Sequence, residues 1–226
     1  MNWKEIKISD CETYFTYKGE KLFDNTFKKV MKFHAEGLAP VCDENGWYHI
    51  DMNGNELYPE RYFKAYGFYC NRAVVLKDSN KGFHIDVTGN RVYKQSYVWL
   101  GNYQEDLCTV KDENGNYTHI DLQGNELYDK KYKYAGDFKD SIACVMFSDN
   151  TFTHIQTNGE YLHNIRFKDL GVYHKGYAIA KDDNGWFHIN IKGNAIYKER
   201  YALLEPFYND IAFAENFNGE KIWVKL

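Results

Sequence analysis

The sequence predicts an all-β fold built from tandem repeats. Three observations support this prediction: a pattern of aromatic and small residues recurs about every 35 residues, a glycine follows each histidine of the pattern at a fixed distance, and no segment keeps a helical period over ten residues. The clearest copy, DDNGWFHINIKGNAIYKERY, runs from Asp182 to Tyr201. A fixed period of this length is typical of propellers, solenoids and similar arrays.

Each repeat is numbered here from the histidine of its FHI-like tripeptide. The predicted origins are Tyr14, His49, His84, His119, His154, His188 and Trp223, and the five histidines are 35, 35, 35 and 34 residues apart. Five residues later stands a glycine: Gly19, Gly54, Gly89, Gly124, Gly159 and Gly193. A first ring follows at nine residues (Phe23, Tyr58, Tyr93, Tyr128, His163, Tyr197), and a second at nineteen (Phe33, Phe68, Tyr103, Phe138, Tyr173, Phe207).

One repeat, residues 38–69, is predicted to form four short antiparallel strands. Apolar runs alternate with two turns, Asp43-Glu44-Asn45-Gly46 and Met52-Asn53-Gly54-Asn55, and a bend at Pro59 precedes the last extended piece. The glycine at position five sits where a tight hairpin needs a positive φ, which glycine adopts at little cost. Four-stranded units repeated around an axis are propeller blades.

The number of copies leaves two architectures open. A β-propeller of six or seven blades is favoured because closure removes the exposed edges of a meander. An open β-solenoid of hairpins is the alternative, since a seventh hairpin at 211–226 follows six full copies and a closed ring needs no surplus. Because the repeat never breaks, residues 1–226 are predicted to form a single domain.

The repeat resembles the bacterial WG repeat, a tandem β module with the pattern Gly-Trp/Phe/Tyr-x-His/Tyr-Ile-Asp. Gly46-Trp47-Tyr48-His49-Ile50-Asp51 and Gly185-Trp186-Phe187-His188-Ile189-Asn190 carry the resemblance best. Members of that family occur alone or fused to other domains, so the resemblance implies a fold and a modular role but no particular chemistry.

Composition and charge limit the classes of partner that the chain is expected to bind. The net charge of −4 with interspersed signs gives no basic stripe, so no nucleic-acid partner is expected. Five cysteines without a CxxC pair favour a reduced, cytoplasmic chain, and the absence of a long apolar run predicts no membrane contact. The oligomeric state is not predicted.

No catalytic motif is found, and neither a metal nor a cofactor is expected. The in-register histidines are interpreted as structural, because a metal or catalytic site needs different residues that converge. Turns such as Asp43-Glu44-Asn45-Gly46 lack the further ligands of an EF-hand and are interpreted as turns. A histidine-lined channel with enzyme activity is the least favoured hypothesis.

The sequence therefore predicts a non-catalytic binding or scaffolding module for a protein or peptide partner. Glycan or cell-wall binding is the alternative, suggested by an aromatic content of 18%. The rings that recur in register are expected to fill the core. Candidate ligand-binding residues are the exposed-looking rings outside the register: Trp99, Tyr66, Tyr69, Tyr134, Tyr161 and Tyr208.

Overall fold

The repeats fold into seven three-stranded antiparallel sheets, each formed by consecutive strands. The computed structural model describes residues 1–226 and begins with a single 3-10 turn, Trp3–Glu5. The sheets contain β1 (Ile6–Ile8), β2 (Phe15–Tyr17) and β3 (Glu20–Lys21); β4 (Lys29–Val30), β5 (Leu38–Cys42) and β6 (Trp47–Asp51); β7 (Lys64–Tyr69), β8 (Arg72–Asp78) and β9 (Lys81–Asp86); β10 (Trp99–Leu100), β11 (Leu107–Lys111) and β12 (Tyr117–Asp121); β13 (Tyr134–Ala135), β14 (Ile142–Met146) and β15 (Phe152–Gln156); β16 (Asp169–Leu170), β17 (Tyr177–Asp182) and β18 (Gly185–Asn190); β19 (Leu203–Leu204), β20 (Ile211–Glu215) and β21 (Lys221–Lys225).

The all-β prediction and its period are confirmed. The first strands of the second to the seventh sheets begin at residues 29, 64, 99, 134, 169 and 203, which reproduces the spacing in the sequence. The glycines at position five all have positive φ, for example 84° at Gly54 and 82° at Gly124. The turn between the first and second strands is equally constrained: both residues of Glu105-Asp106, Asp140-Ser141 and Asn209-Asp210 have positive φ.

The predicted fourth strand is interrupted. In the second sheet the segment after β6 contacts it through only two isolated bridges, Ile50 with Glu56 and Trp47 with Tyr62. Between the bridges the chain bends at Pro59, and the Tyr58 side chain turns inward to the histidine of its own repeat. This stretch, residues 56–62 here and its equivalents in the other repeats with an in-register histidine, is called the covering segment because it lies along the outer edge of the strand that carries the histidine.

Neighbouring repeats meet at the glycine of one and the first ring of the one before it. A Cβ at Gly159 would lie 2.6 Å from the Tyr128 ring, and one at Gly124 would overlap Tyr93. The glycine is therefore required twice, once by its φ and once by this close approach.

The origin predicted for the first repeat is wrong by one residue. Leu22 donates its backbone N–H to Phe15, as Leu57 does to His49, so Phe15 and not Tyr14 occupies the histidine position. The cause is a hairpin shortened to the two-residue turn Lys18-Gly19. Because the turn is one residue shorter than in the other repeats, counting five residues back from its glycine reaches Tyr14 instead of Phe15. Phe15 is 1% exposed and packs on Phe33 with ring centroids 4.8 Å apart.

The third sheet departs from the others in its first strand. β7 has six residues where the equivalent strands have two, and its register with β8 shifts between Ala65 and Phe68. This bulge contains Tyr66 and Gly67. Bulges re-aim side chains and are common beside functional sites, which makes this sheet the place to look for one.

The chain divides into two compact units. One comprises Met1–Gly115 with Ile120–Glu126, and the other comprises Asn116–His119 with Leu127–Leu226. In each unit the core consists of in-register rings and small strand residues, such as Phe68 and Ala73 in the first and Tyr173 and Ala178 in the second. The single domain over residues 1–226 stays a prediction.

Candidate functional site

The in-register histidines have no exposed surface. His49, His84, His119, His154 and His188 are each 0% exposed. In His49, Nε2 donates to the backbone carbonyl of Tyr66 at 2.8 Å, because that oxygen can only accept. Nδ1 is then the acceptor, and it receives the Tyr58 hydroxyl proton at 2.6 Å.

The same pair of hydrogen bonds recurs in the other repeats. The partners are Tyr93 and the Gly101 carbonyl for His84, Tyr128 and the Gly136 carbonyl for His119, His163 and the Gly171 carbonyl for His154, and Tyr197 and the Glu205 carbonyl for His188. Each histidine therefore joins three segments: its own strand, the covering segment, and the first strand of the next repeat or the residue directly after that strand. The ring at nineteen packs on it, from 4.8 Å between centroids at Phe68 to 3.8 Å at Phe207.

Burial keeps these histidines uncharged. Desolvation lowers the pKa of each of the five to about 4, from an ordinary value of 6.5. The same cause raises the pKa of the tyrosine partners Tyr58, Tyr93 and Tyr197. Neutral, doubly hydrogen-bonded and shielded from water, the imidazoles serve to hold the repeats together.

The aspartate turns also use their carboxylates internally. Asp43 Oδ1 accepts from the backbone of Asn45 at 2.7 Å and of Gly46 at 3.0 Å, while its Oδ2 pairs with Arg61 Nε at 2.8 Å. Asp182 and Arg200 repeat this ion pair at 2.8 Å. No group of three or more His, Cys, Asp and Glu side chains is arranged to hold a metal ion.

All six candidate binding residues are exposed, but they are scattered. The exposed fractions are 45% for Trp99, 38% for Tyr66, 36% for Tyr69, 44% for Tyr134, 37% for Tyr161 and 75% for Tyr208. Trp99 and Tyr134 begin equivalent strands of adjacent sheets, Tyr161 packs on Phe147, and Tyr208 lies before β20. Tyr66 and Tyr69, both in β7, line one surface depression.

This depression, called the aromatic hollow, is formed by Trp3, Lys32, His34, Glu36, Tyr66 and Tyr69. It consists of two adjoining cavities of about 340 and 210 Å³, which share Lys32, His34 and Tyr69. The His34 ring meets the Tyr69 ring at 4.7 Å in an edge-on contact. A Cβ at Gly67 would overlap the His34 imidazole, so the bulge of β7 has room for this ring only because residue 67 is glycine.

The polar groups of the hollow are few and differ in kind. Burial, reinforced by the charge of Lys32, lowers the pKa of His34, so the ring is neutral near pH 7. Glu36 Oε1 accepts from the Asn71 backbone at 3.2 Å, whereas Oε2 is buried without a hydrogen-bond partner. The hollow thus offers three rings around a neutral imidazole, with one cation and one carboxylate, a set suited to holding an apolar or aromatic group in a fixed orientation.

Sequence reasoning finds only two of these residues. Trp3, Lys32, His34 and Glu36 are missed, because they lie in two stretches that the repeat pattern describes poorly. The signal present in the sequence is the run Ala65-Tyr66-Gly67-Phe68-Tyr69, in which a glycine interrupts three rings. An isolated glycine inside a strand pattern indicates a bulge or a close approach.

No helix of the chain is long and apolar enough to cross a membrane.

Comparison with solved structures identifies the fold. The computationally designed Ika8 protein is 14% identical, with a TM-score of 0.50 over 98% of this chain and 80% of that one. BamB from Moraxella catarrhalis is 11% identical, with a TM-score of 0.48 over 100% of this chain and 83% of that one. KlHsv2 with loop 6CD replaced by a Gly-Ser linker is 9% identical, with a TM-score of 0.48 over 96% and 91%. The fold is propeller-like.

Sequence comparison confirms the resemblance seen in the repeat. No curated protein matches the chain. The family described as WG containing repeat matches residues 120–150, a span that runs from the end of β12 through the Gly124 turn and β14. The chain therefore carries a WG-containing repeat within a propeller-like array of seven three-stranded sheets.

Proposed function

We propose that this chain is a non-catalytic binding module that recognises a protein or peptide partner through the aromatic hollow. One observation carries the proposal: the hollow forms where β7 breaks the repeat, and it gathers exposed rings that the repeat does not need. The polar groups in register, in contrast, are buried and paired with one another. Propeller-like scaffolds present binding surfaces in this way, on a rigid array.

The chemistry of the hollow defines the ligand. Cavities of about 340 and 210 Å³ accept one or two side chains, and rings at Trp3, Tyr66 and Tyr69 favour apolar or aromatic ones. Lys32 would pair with a carboxylate of the peptide. Binding of this kind uses a few buried anchors and leaves the remaining contacts as a polar rim.

The absence of catalysis belongs to the same proposal. The five in-register histidines are uncharged and enclosed, which leaves them without access to a substrate in solution. Burial raises the pKa of the Cys144 thiol to about 12, so that residue is not a thiolate nucleophile near pH 7. A cytoplasmic location fits the five free thiols and is likewise proposed.

Glycan binding is the second candidate function. The exposed indole of Trp99, at 45%, offers a flat apolar face of the kind on which sugar rings stack. It lies at the start of β10 and does not line the aromatic hollow, so the two hypotheses place the ligand at different residues.

The test is a selection of peptides from a random library displayed on phage, with the whole chain as target. Selected peptides are synthesised and their dissociation constants measured by fluorescence anisotropy. Tyr66→Ala and Tyr69→Ala are each expected to weaken binding at least about tenfold, because each removes a ring that a buried anchor would contact.

Tyr134→Ala is the matched control, because that ring is 44% exposed and outside the hollow. It should leave the affinity unchanged, and circular dichroism should show that all three variants are folded. Peptides that bind the hollow variants as tightly as the parent chain would contradict the proposal. A glycan array that gives binding abolished by Trp99→Ala would replace it with the second function.

A further inference from the structure

The larger cavity of the aromatic hollow contains a carboxylate oxygen without a partner. Glu36 lines this cavity of about 340 Å³, and its Oε1 accepts from the Asn71 backbone N–H at 3.2 Å. Its Oε2 is buried and accepts no hydrogen bond, from Lys32 or from any other group of the chain. A charged oxygen that is removed from water without a donor is costly, so a ligand that supplies a donor here gains more than one that does not.

The walls around this carboxylate are aromatic. Trp3 and Tyr69 line the same cavity, and the His34 ring meets Tyr69 edge-on at 4.7 Å. His34 adds no positive charge, because its imidazole is neutral near pH 7. The face of an aromatic ring attracts cations, and tryptophan attracts them most strongly. The rings and the carboxylate therefore favour the same kind of ligand group, a cation.

Lys32 is the one charge of the hollow that opposes a cationic ligand. It borders both cavities and is exposed, so its flexible stem can turn the ammonium group into water. Repulsion by an exposed charge is screened by water and salt, whereas the enclosed Oε2 of Glu36 is screened much less. The net charge of −4 over the whole chain adds a weak attraction of the same sign.

We propose that the larger cavity binds an arginine side chain of the partner. The guanidinium group stacks on the rings of Trp3 and Tyr69 and donates an N–H to Glu36 Oε2, a charge-assisted hydrogen bond. Guanidinium fits this cavity better than the ammonium of lysine, because it is planar, stacks on aromatic faces and is more weakly hydrated. The smaller cavity, which Tyr66 lines, then holds the apolar or aromatic side chain.

The inference rests on the proposed function, because it assigns one of the two side chains by which the hollow holds a peptide. Peptides selected on the whole chain are then expected to carry an arginine close to an apolar or aromatic residue. Replacing that arginine by citrulline, which keeps the shape and removes the charge, should weaken binding about tenfold, as expected when a hydrogen bond between charged groups is lost.

The test needs no selected peptide, because it uses three small probes on the whole chain labelled with nitrogen-15. The probes are the N-acetyl methylamides of arginine, citrulline and lysine. Titration with the arginine probe should shift the nuclear magnetic resonance signals of the Trp3 indole and of the Glu36 and Tyr69 backbone, and saturate them. The citrulline probe should bind about tenfold more weakly. Equal binding of these two probes would overturn the proposal, as would tighter binding of the lysine probe.

A matched pair of variants assigns the effect to Glu36. Glu36→Gln removes the charge but keeps an amide oxygen that can accept from the Asn71 backbone, so the fold should be retained. It should weaken binding of the arginine probe about tenfold. Glu60→Gln removes the same charge from an exposed residue outside the hollow and should leave the affinity unchanged. Equal affinities of the two variants for the arginine probe would contradict the role of Glu36.

Failure of this inference can be distinguished from failure of the proposed function. Selected peptides that need Tyr66 and Tyr69 but bind Glu36→Gln as tightly as the parent chain would overturn the arginine site and leave the proposed function standing. Saturable binding of the arginine probe that depends on Glu36, without any selected peptide that needs Tyr66 and Tyr69, would support the arginine site and contradict the proposed function.

Discussion

His188 and Trp223 occupy the same position in consecutive repeats, yet the first is 0% exposed and the second 68%. Around His188 the Tyr197 hydroxyl lies 2.5 Å from Nδ1, the Glu205 carbonyl lies 3.0 Å from Nε2, and Phe207 stacks on the ring. All three partners come after the strand that carries the histidine. No such partners contact Trp223, whose ring meets only Phe213 and faces solvent.

The difference shows that burial at this position is provided by the residues that come later in the chain. The strand alone places the side chain on one face of its sheet, and the covering segment and the next repeat then enclose it. A repeat of this kind cannot bury its apolar face by itself. An interior histidine and the terminal tryptophan should therefore respond very differently to acid and to substitution.

Acid should have the largest effect, because it acts on all interior positions at once. The five histidines have a pKa of about 4 in the folded chain and near 6.5 when unfolded, so between these values the unfolded chain binds more protons. The stability that these buried neutral histidines contribute is complete above pH 6.5 and is lost as the pH falls toward 4. Each unit of pKa difference is worth about 1.4 kcal/mol of stability, so the loss on acidification should amount to at least several kcal/mol.

The measurement is the free energy of unfolding by urea at successive pH values. Near pH 5 its slope should correspond to uptake of about four to five protons. Asp43, Asp51 and Asp121 have lowered pKa values, so they stabilise the folded chain at neutral pH and lose that effect only below about pH 4. The pH dependence that they cause therefore falls outside this window. A free energy of unfolding that stays constant from pH 7 to pH 5 would contradict the burial of the histidines.

The second effect compares the two equivalent residues directly. His188→Ala should lower the free energy of unfolding by about 3 kcal/mol, because it leaves a cavity, removes the acceptor of the Tyr197 O–H and removes the donor to the Glu205 carbonyl. Trp223→Ala should change it by no more than about 0.5 kcal/mol, as expected at an exposed site. Both are measured by circular dichroism in urea, and comparable losses would remove the distinction between the positions.

The smallest expected effect concerns the glycine of the hairpin that follows each repeat origin. Gly19 and Gly124 have φ values of 89° and 82°, so alanine at either position costs about 1 kcal/mol in backbone strain. A Cβ at Gly124 would in addition overlap Tyr93, whereas a Cβ at Gly19 would meet nothing within 4 Å. Gly124→Ala should therefore lower the free energy of unfolding by about 2–3 kcal/mol, more than Gly19→Ala. Both variants are measured by circular dichroism in urea. Equal losses for the two variants would refute the close approach of Gly124 to Tyr93.

The sequence predicts the period, the strands and the turn glycines because each follows from local chemistry. A glycine that needs a positive φ and a strand that alternates its faces leave a trace at a fixed offset. Where a local change breaks the count, the prediction fails: the shortened turn at Lys18-Gly19 moves the first origin from Phe15 to Tyr14. The fourth strand is also overestimated, because an inward-turning Tyr58 interrupts it.

The aromatic hollow can be predicted only in part. Tyr66 and Tyr69 stand out because they lie outside the register, but Trp3, His34 and Glu36 come from segments distant in sequence. Trp223 has the sequence position of one more repeat origin, and nothing in its local sequence distinguishes an enclosed position from an exposed one.

The amino-acid sequence by itself determined the repeating unit of this protein: its length, its hairpins and the face on which each histidine lies, since these depend on backbone conformations that single residues control. Only the tertiary structure decided which of those faces are enclosed and which rings meet in a hollow. Enclosure is set by contacts between segments tens of residues apart, such as the Glu205 carbonyl with His188 and His34 with Gly67, and no local pattern records them.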